Sequence, residues 1–136
     1  MHQKNQFLTR MTVFLSISLL FLACKKEGVG GDATIRGYVM AEKWNSTFTQ
    51  YIGRYPAKNE YVYIQYDDEF GYDDRILTDY HGYFEFPFLY KGNYHIYTYS
   101  RDSTGADLSG LAPVIRNISI DSRTQTVDLD TLFVFQ

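Results

Sequence analysis

Cysteine is all but missing from this chain. Cys24 is the only one in 136 residues, so no intramolecular disulfide can form. Histidine is scarce as well: beyond the first 23 residues only His81 and His95 occur. With no second thiol and so few imidazoles, there is little from which to build a nucleophile, its base and the group that orients it. Ser100 follows His95 by five residues, and an odd offset along a strand places two side chains on opposite faces. These shortages weigh against an enzyme. A positive charge excess is also lacking. The chain has 13 Lys+Arg against 16 Asp+Glu, and setting aside Lys4 and Arg10 leaves a net charge of −5 for the rest. Nothing in that balance recommends a nucleic-acid partner. No apolar run is long enough to cross a bilayer comfortably. The uncharged stretch at residues 11–22, MTVFLSISLLFL, falls short of the about 20 residues a transmembrane helix needs.

The same stretch has the length of a signal-peptide h-region, and Lys4 and Arg10 supply its positive flank. It ends in FLAC, with small Ala23 directly before Cys24. This resembles the lipobox of bacterial lipoproteins, with Phe21 where leucine is usual and Leu20 and Leu22 on either side. The resemblance implies cleavage after Ala23 and a diacylglyceryl group on Cys24; the plainer alternative is a free thiol in the signal region. The expected organisation is a lipoprotein signal peptide over 1–23, a lipidated flexible tether over 24–31 and one domain over 32–136. KKEGVGGD (25–32) is charged and Gly-rich, as flexible linkers are. Two or more acyl chains give a stable anchor, so a membrane is an expected partner, held through lipid and not spanned. Lys25 stands where aspartate would resemble an inner-membrane retention signal, and Lys25 to Glu27 partly resemble a surface-export signal. Both features point to the outer membrane, with either face open.

The remaining roughly 100 residues suffice for one modest core. Alternating apolar and polar residues, rich in β-branched and aromatic types, mark strands throughout. They fall at 33–41, 60–66, 75–78, 82–88, 93–100, 113–120 and 125–135. About seven short strands with turns between them predict an all-β antiparallel sandwich. Residues 42–59 are the least regular segment. Their aromatics, including Trp44, either cap one end of the sandwich or offer a binding surface.

Four blocks of the chain resemble carboxypeptidase regulatory-like domains. IRGYV (35–39) is similar to that family's opening strand, and PAKNEYVYI (56–64) to its next strand. TDYHGYFEFPFL (78–89) resembles its Thr-Asp-x-x-Gly-x-Phe-x-Phe-x-x-Leu signature, and KGNYHIY (91–97) the strand that follows. The resemblance covers most of 32–135 and implies a transthyretin-like sandwich of seven strands; it does not imply an enzyme. It leaves function open, because a fold does not fix one.

Asp79 and His81 invite reading as an acid–histidine site. The turn itself explains Asp79 and Gly82: the carboxylate caps backbone N–H groups, and glycine takes a positive φ. His81 then sits solvated at the tip. Asp67, Asp68, Glu69, Asp73 and Asp74 form an acidic run facing only Arg75. It reads as a solvated loop, with a calcium site as the alternative; its spacing does not fit an EF-hand. No other cofactor is indicated. The tyrosines are more informative. If Val62, Ile64, Phe84, Phe86, Tyr94 and Ile96 point into the core, then Tyr61, Tyr63, His95, Tyr97 and Tyr99 point out. On neighbouring strands those tyrosines would cluster. Such a cluster stabilises a sheet by about 0.2–1 kcal/mol per cross-strand pair. It would also serve as a platform for a protein or glycan partner, extended by His95 and Trp44. The rival expectation is an assembly subunit that acts by strand addition at a sheet edge, with the terminal TLFVFQ (131–136) as the exchanged strand.

Overall fold

The computed structural model describes residues 27–66 and 70–136. Cys24, the signal peptide, Asp67, Asp68 and Glu69 lie outside the described residues. Within them there is no helix, and nine strands form two sheets. They are β1 (Val29–Trp44), β2 (Tyr51–Pro56), β3 (Tyr61–Tyr66), β4 (Asp74–Leu77), β5 (Tyr83–Leu89), β6 (Gly92–Arg101), β7 (Leu111–Ile120), β8 (Thr126–Asp128) and β9 (Leu132–Phe135). One sheet is built around β1, with β5 and β8 flanking its first half and β2 and β9 its second. The other runs β4-β3-β6-β7.

The two sheets form an all-β sandwich. Period-two alternation sends Ala33, Ile35, Val39 and Ala41 of β1 inward to meet Val62 and Ile64 of β3 and Tyr94 and Ile96 of β6. Phe84, Phe86, Leu89, Leu132 and Val134 complete the core. Burying each large apolar side chain contributes about 1.5–3 kcal/mol.

Three expectations need correction. The irregular 42–59 connection contains a strand: β2 pairs antiparallel with β1, from Met40 opposite Pro56 to Trp44 opposite Tyr51. Asn45 closes the loop between them, its side-chain oxygen accepting from the N–H groups of Thr49 (2.8 Å) and Gln50 (3.2 Å). β2 is exposed along nearly its whole length, so it carries no apolar alternation to read.

The closing segment, expected as one antiparallel strand over 125–135, is two strands, and both run parallel to β1. Asp128 lies opposite Arg36 and Leu132 opposite Val39. Four residue steps on the closing segment thus match three on β1. The extra residue is accommodated between them as a bulge would be, and pairing lapses there.

Residues 29–31, expected as tether, begin β1. Their glycines serve close packing: a Cβ at Gly31 would lie 1.9 Å from the Leu89 carbonyl oxygen. The start of the strand is pinned by Tyr94, whose buried hydroxyl accepts from the Gly28 N–H at 3.1 Å and donates to the Tyr90 carbonyl at 2.7 Å.

Candidate functional site

The signature hairpin is scaffold. Asp79 Oδ1 accepts from the N–H groups of His81 and Tyr83, each at 2.8 Å. Gly82 has φ +77°, and a Cβ there would lie 2.3 Å from the Val39 carbonyl oxygen. His81 is exposed, with Tyr80 edge-on beside it. Phe84 and Phe86 point into the core. Asp79 and Gly82 are thus spent on closing the turn.

The outer face of the β4-β3-β6-β7 sheet is different in kind. Register places Tyr63 between Arg75 on β4 and Tyr97 on β6, and Tyr97 opposite Ile115 on β7. One rung further along, Gln65, His95 and Asn117 stand side by side. On the other flank lie Tyr61, Tyr99 and Pro113, with Tyr61 opposite Leu77 and Tyr99 opposite Pro113. The face is therefore banded: an amide–imidazole rung, then two rungs rich in aromatic rings.

The rings touch. Tyr63 and Tyr97 stack, with centroids 5.1 Å apart and planes at 11°. Tyr99 meets both edge-on, at 5.7 Å from Tyr63 and 5.8 Å from Tyr97. Tyr61 leans on Tyr63 at 6.1 Å, and Tyr72 reaches it from the loop before β4 at 5.1 Å. The Arg75 guanidinium lies 4.5 Å from the Tyr61 ring centroid, a cation–π distance. Hydrogen bonding to Tyr63, then the nearby Tyr72 phenol, holds Arg75 above its ordinary pKa. Partial burial, followed by the neighbouring tyrosines, raises the Tyr97 phenol above its ordinary value. His95 Nδ1 is hydrogen-bonded to Asn117 Oδ1 at 2.7 Å.

Beside the rings is an open groove of about 710 Å³, lined by Gln65, His95, Tyr97, Tyr99, Ile115 and Asn117 among others. None of its described lining residues is Asp, Glu, Lys or Arg.

Sequence reasoning thus named Tyr61, Tyr63, Tyr97, Tyr99 and His95, which do share one face. Trp44 does not join them. It lies on β1 in the other sheet, packed edge-on against Tyr51 (5.5 Å) and Phe135 (6.3 Å). The reason is connectivity: the strand that carries it belongs to the β1-centred sheet. Tyr72, Arg75, Gln65, Pro113, Ile115 and Asn117 were missed as face residues. The alternation in LAPVIRNISI would have found the last three, once Val114 and Ile118 are taken as inward. Arg75, expected to face the acidic run, lies instead against aromatic rings.

The described acids make local contacts. Asp73 Oδ2 accepts from the Tyr66 N–H at 2.6 Å and Asp74 Oδ1 from the Arg75 N–H at 2.7 Å. Among the described residues no three His, Cys, Asp or Glu side chains converge as a metal ion would require.

No family model matches the chain, and no curated protein does. Among solved structures it is similar to the crystal structure of a proposed carbohydrate-binding protein from Pseudomonas aeruginosa, at 12% identity and a TM-score of 0.46, over 85% of this chain and 94% of that one. It is also similar to the crystal structure of an (S)-allantoin synthase, at 16% identity and a TM-score of 0.43, over 78% of this chain and 42% of that one. Likeness at this level assigns no function, so the face is read from its own chemistry.

Proposed function

We propose that the chain is a non-catalytic binding lipoprotein of the bacterial envelope, built on a transthyretin-like sandwich, which recognises a protein or glycan partner on its tyrosine face. The observation that carries this reading is the stacked Tyr63–Tyr97 pair, ringed by Tyr61, Tyr72 and Tyr99 beside an open groove. The rings gather on a solvent-facing side of the sheet, and contiguous exposed patches of this sort mark interaction sites. Tyrosine adds a polar tip to a large apolar ring, which suits a wet interface.

The anchor fits this use. Lipid on Cys24 would leave residues 25–27 before Gly28, where the domain is pinned by Tyr94. Four peptide steps span roughly 14 Å at full extension. The sandwich would then stand close to the membrane on the end holding Gly28, Tyr66 and Tyr90. The tyrosine face would run up its side.

Pull-downs from detergent-solubilised envelopes test the reading, comparing wild type with the Tyr63→Ala/Tyr97→Ala double variant. Protein and glycan retained by wild type should be lost from the variant. Equal retention would remove the face as the binding surface. Palmitate labelling should vanish in Cys24→Ser, and labelling that persists there would sink the anchor.

Strand addition remains a second reading, with a more specific location. TLFVFQ is an unsuitable donor: Leu132 and Val134 are buried and β9 pairs over four residues with β1. Addition would instead have to use an outer edge such as β7, the ten-residue strand at the end of its sheet.

A further inference from the structure

The banding of the tyrosine face says more than that something binds there. We infer that the groove takes a neutral oligosaccharide, with a sugar ring lying on Tyr97 and its hydroxyl groups reaching the rung formed by Gln65, His95 and Asn117. This deepens the binding-face reading and rests on it.

Charge narrows the ligand. The described residues lining the groove include no carboxylate, ammonium or guanidinium. A phosphate, sulfate or uronate seated there would meet no cation among the described lining residues, and the chain's negative balance disfavours it. A cationic ligand would find no carboxylate among the described lining residues. A neutral ligand has no such need.

Hydrogen-bonding type points the same way. Gln65 and Asn117 each carry an amide that both donates and accepts, and the His95 imidazole does the same when neutral. A sugar hydroxyl is likewise donor and acceptor at once. A rung of such groups matches a row of hydroxyls better than it matches an apolar side chain. Asn117 Oδ1 is already held by His95 Nδ1 at 2.7 Å. That bond fixes the orientation of the amide, so its nitrogen is presented in a set direction.

Geometry narrows it further. The apolar face of a sugar ring lies flat on an aromatic ring, and Tyr97 is held flat by its stack on Tyr63. Neighbouring rungs on one face are roughly 6.7 Å apart along the strands. A ring on Tyr97 thus has the amide rung on one side and Tyr99, edge-on to the stack, on the other. Pro113 and Ile115 on β7 close the far wall of the groove with apolar surface. A protein partner of ordinary affinity would favour rings and Arg at its core with polar groups at the rim. Here the polar rung lies inside the groove, which favours the sugar.

The test uses the full-length protein in detergent micelles on a glycan array carrying neutral and acidic oligosaccharides. Wild type should retain neutral glycans and leave acidic ones. Tyr97→Ala and Asn117→Ala should each weaken retention by roughly tenfold or more, while Tyr97→Phe keeps most of it. Tyr38→Ala, on the outer face of the other sheet, should bind as wild type does. Thermal melts of each variant separate lost contacts from lost folding. Retention of acidic glycans only, or neutral retention unchanged in both Tyr97→Ala and Asn117→Ala, overturns the inference. So does a wild type that retains no neutral glycan. In that last case an envelope protein held by wild type, and lost in the tyrosine double variant, would leave the binding face standing with a different partner.

Discussion

Replacing Tyr94 by phenylalanine tests how the domain begins. The Tyr94 ring is fully buried, and phenylalanine keeps its packing against Tyr66, whose ring meets it edge-on at 5.8 Å. Only the hydroxyl goes, and with it the bond from the Gly28 N–H and the bond to the Tyr90 carbonyl. At about 1 kcal/mol for each hydrogen bond the loss is near 2 kcal/mol. For a domain of this size that lowers Tm by roughly 8 °C. The loss should be local as well as global. The Tyr90 N–H still donates to the Gly28 carbonyl at 2.9 Å, but Gly28 gives up its own donor contact. Amide exchange at Gly28 and Val29 should therefore quicken far more than at Ile35 or Val39. Fraying of residues 28–32 would lengthen the leash from Cys24 to roughly 28 Å. Tyr80→Phe, at an exposed position, is the control and should stay within about 0.5 kcal/mol of wild type. A Tyr94→Phe protein melting like wild type, with exchange at Gly28 unaltered, would show that the hydroxyl pins nothing.

Gly82→Ala places a Cβ in the left-handed region, which costs roughly 1–2 kcal/mol, and against the Val39 carbonyl, which accepts from the Ala57 N–H at 2.9 Å. Urea unfolding should show a loss of about 3 kcal/mol, and a loss below about 0.5 kcal/mol would refute the turn's role. Burial raises the Tyr94 and Tyr66 phenols above the ordinary value of 10.0. The folded state thus favours the neutral phenol, so this contribution is fully present below pH 10 and is lost as pH climbs through the raised folded values. Urea midpoints should be level from pH 8 to 9 and fall above 10, less steeply in Tyr94→Phe; the same slope in both proteins would show that Tyr94 is not the group responsible. Arg116→Val removes a charge from the inner face of edge strand β7, and sedimentation should show new self-association that the wild type lacks; an unchanged distribution would mean the arginine does not guard the edge.

Most of the sandwich was legible because its core strands obey one rule. Val62 and Ile64, Phe84 and Phe86, and Tyr94 and Ile96 alternate cleanly with polar or aromatic neighbours, and their outward partners follow by parity. The tyrosine cluster needed only one further step, that β3 and β6 are neighbours. What stayed hidden had no apolar pattern to show. β2 is exposed on both faces, and its pairing is set by a loop held through the Asn45 side chain. The parallel pairing of β8 and β9 depends on where β7 delivers the chain, which no local pattern encodes. Gly30 and Gly31 resemble linker glycines in composition, and only the approach of Leu89 and Tyr90 reveals them as packing residues. Asp79 and His81 show the converse: reactive residue types stood there, yet turn chemistry alone accounted for the carboxylate, as expected.

The choice between a face and an edge as the business end can be argued from what guards each. An unguarded outer strand is a template for pairing, and proteins blunt it with proline, bulges or inward-pointing charge. β7 carries Pro113, and it carries Arg116 on the same inward face as Val114 and Ile118, opposite Ile96. A second chain adding to this edge would have to extend the core past a guanidinium, whose Nη1 is held by the Ile115 carbonyl at 3.0 Å. β5, at the end of the other sheet, carries Pro87 and pairs through a bulge, with Phe88 at φ +62°. β7 and β5 thus each carry features that discourage strand addition. The outer face between β4 and β7 is not defended in that way. It shows stacked rings, an arginine laid across one of them, and a hydrogen-bonding rung with no formal charge among its amides. With β7 guarded and that face left open, a ligand held across the strands is the reading these features favour over addition at β7.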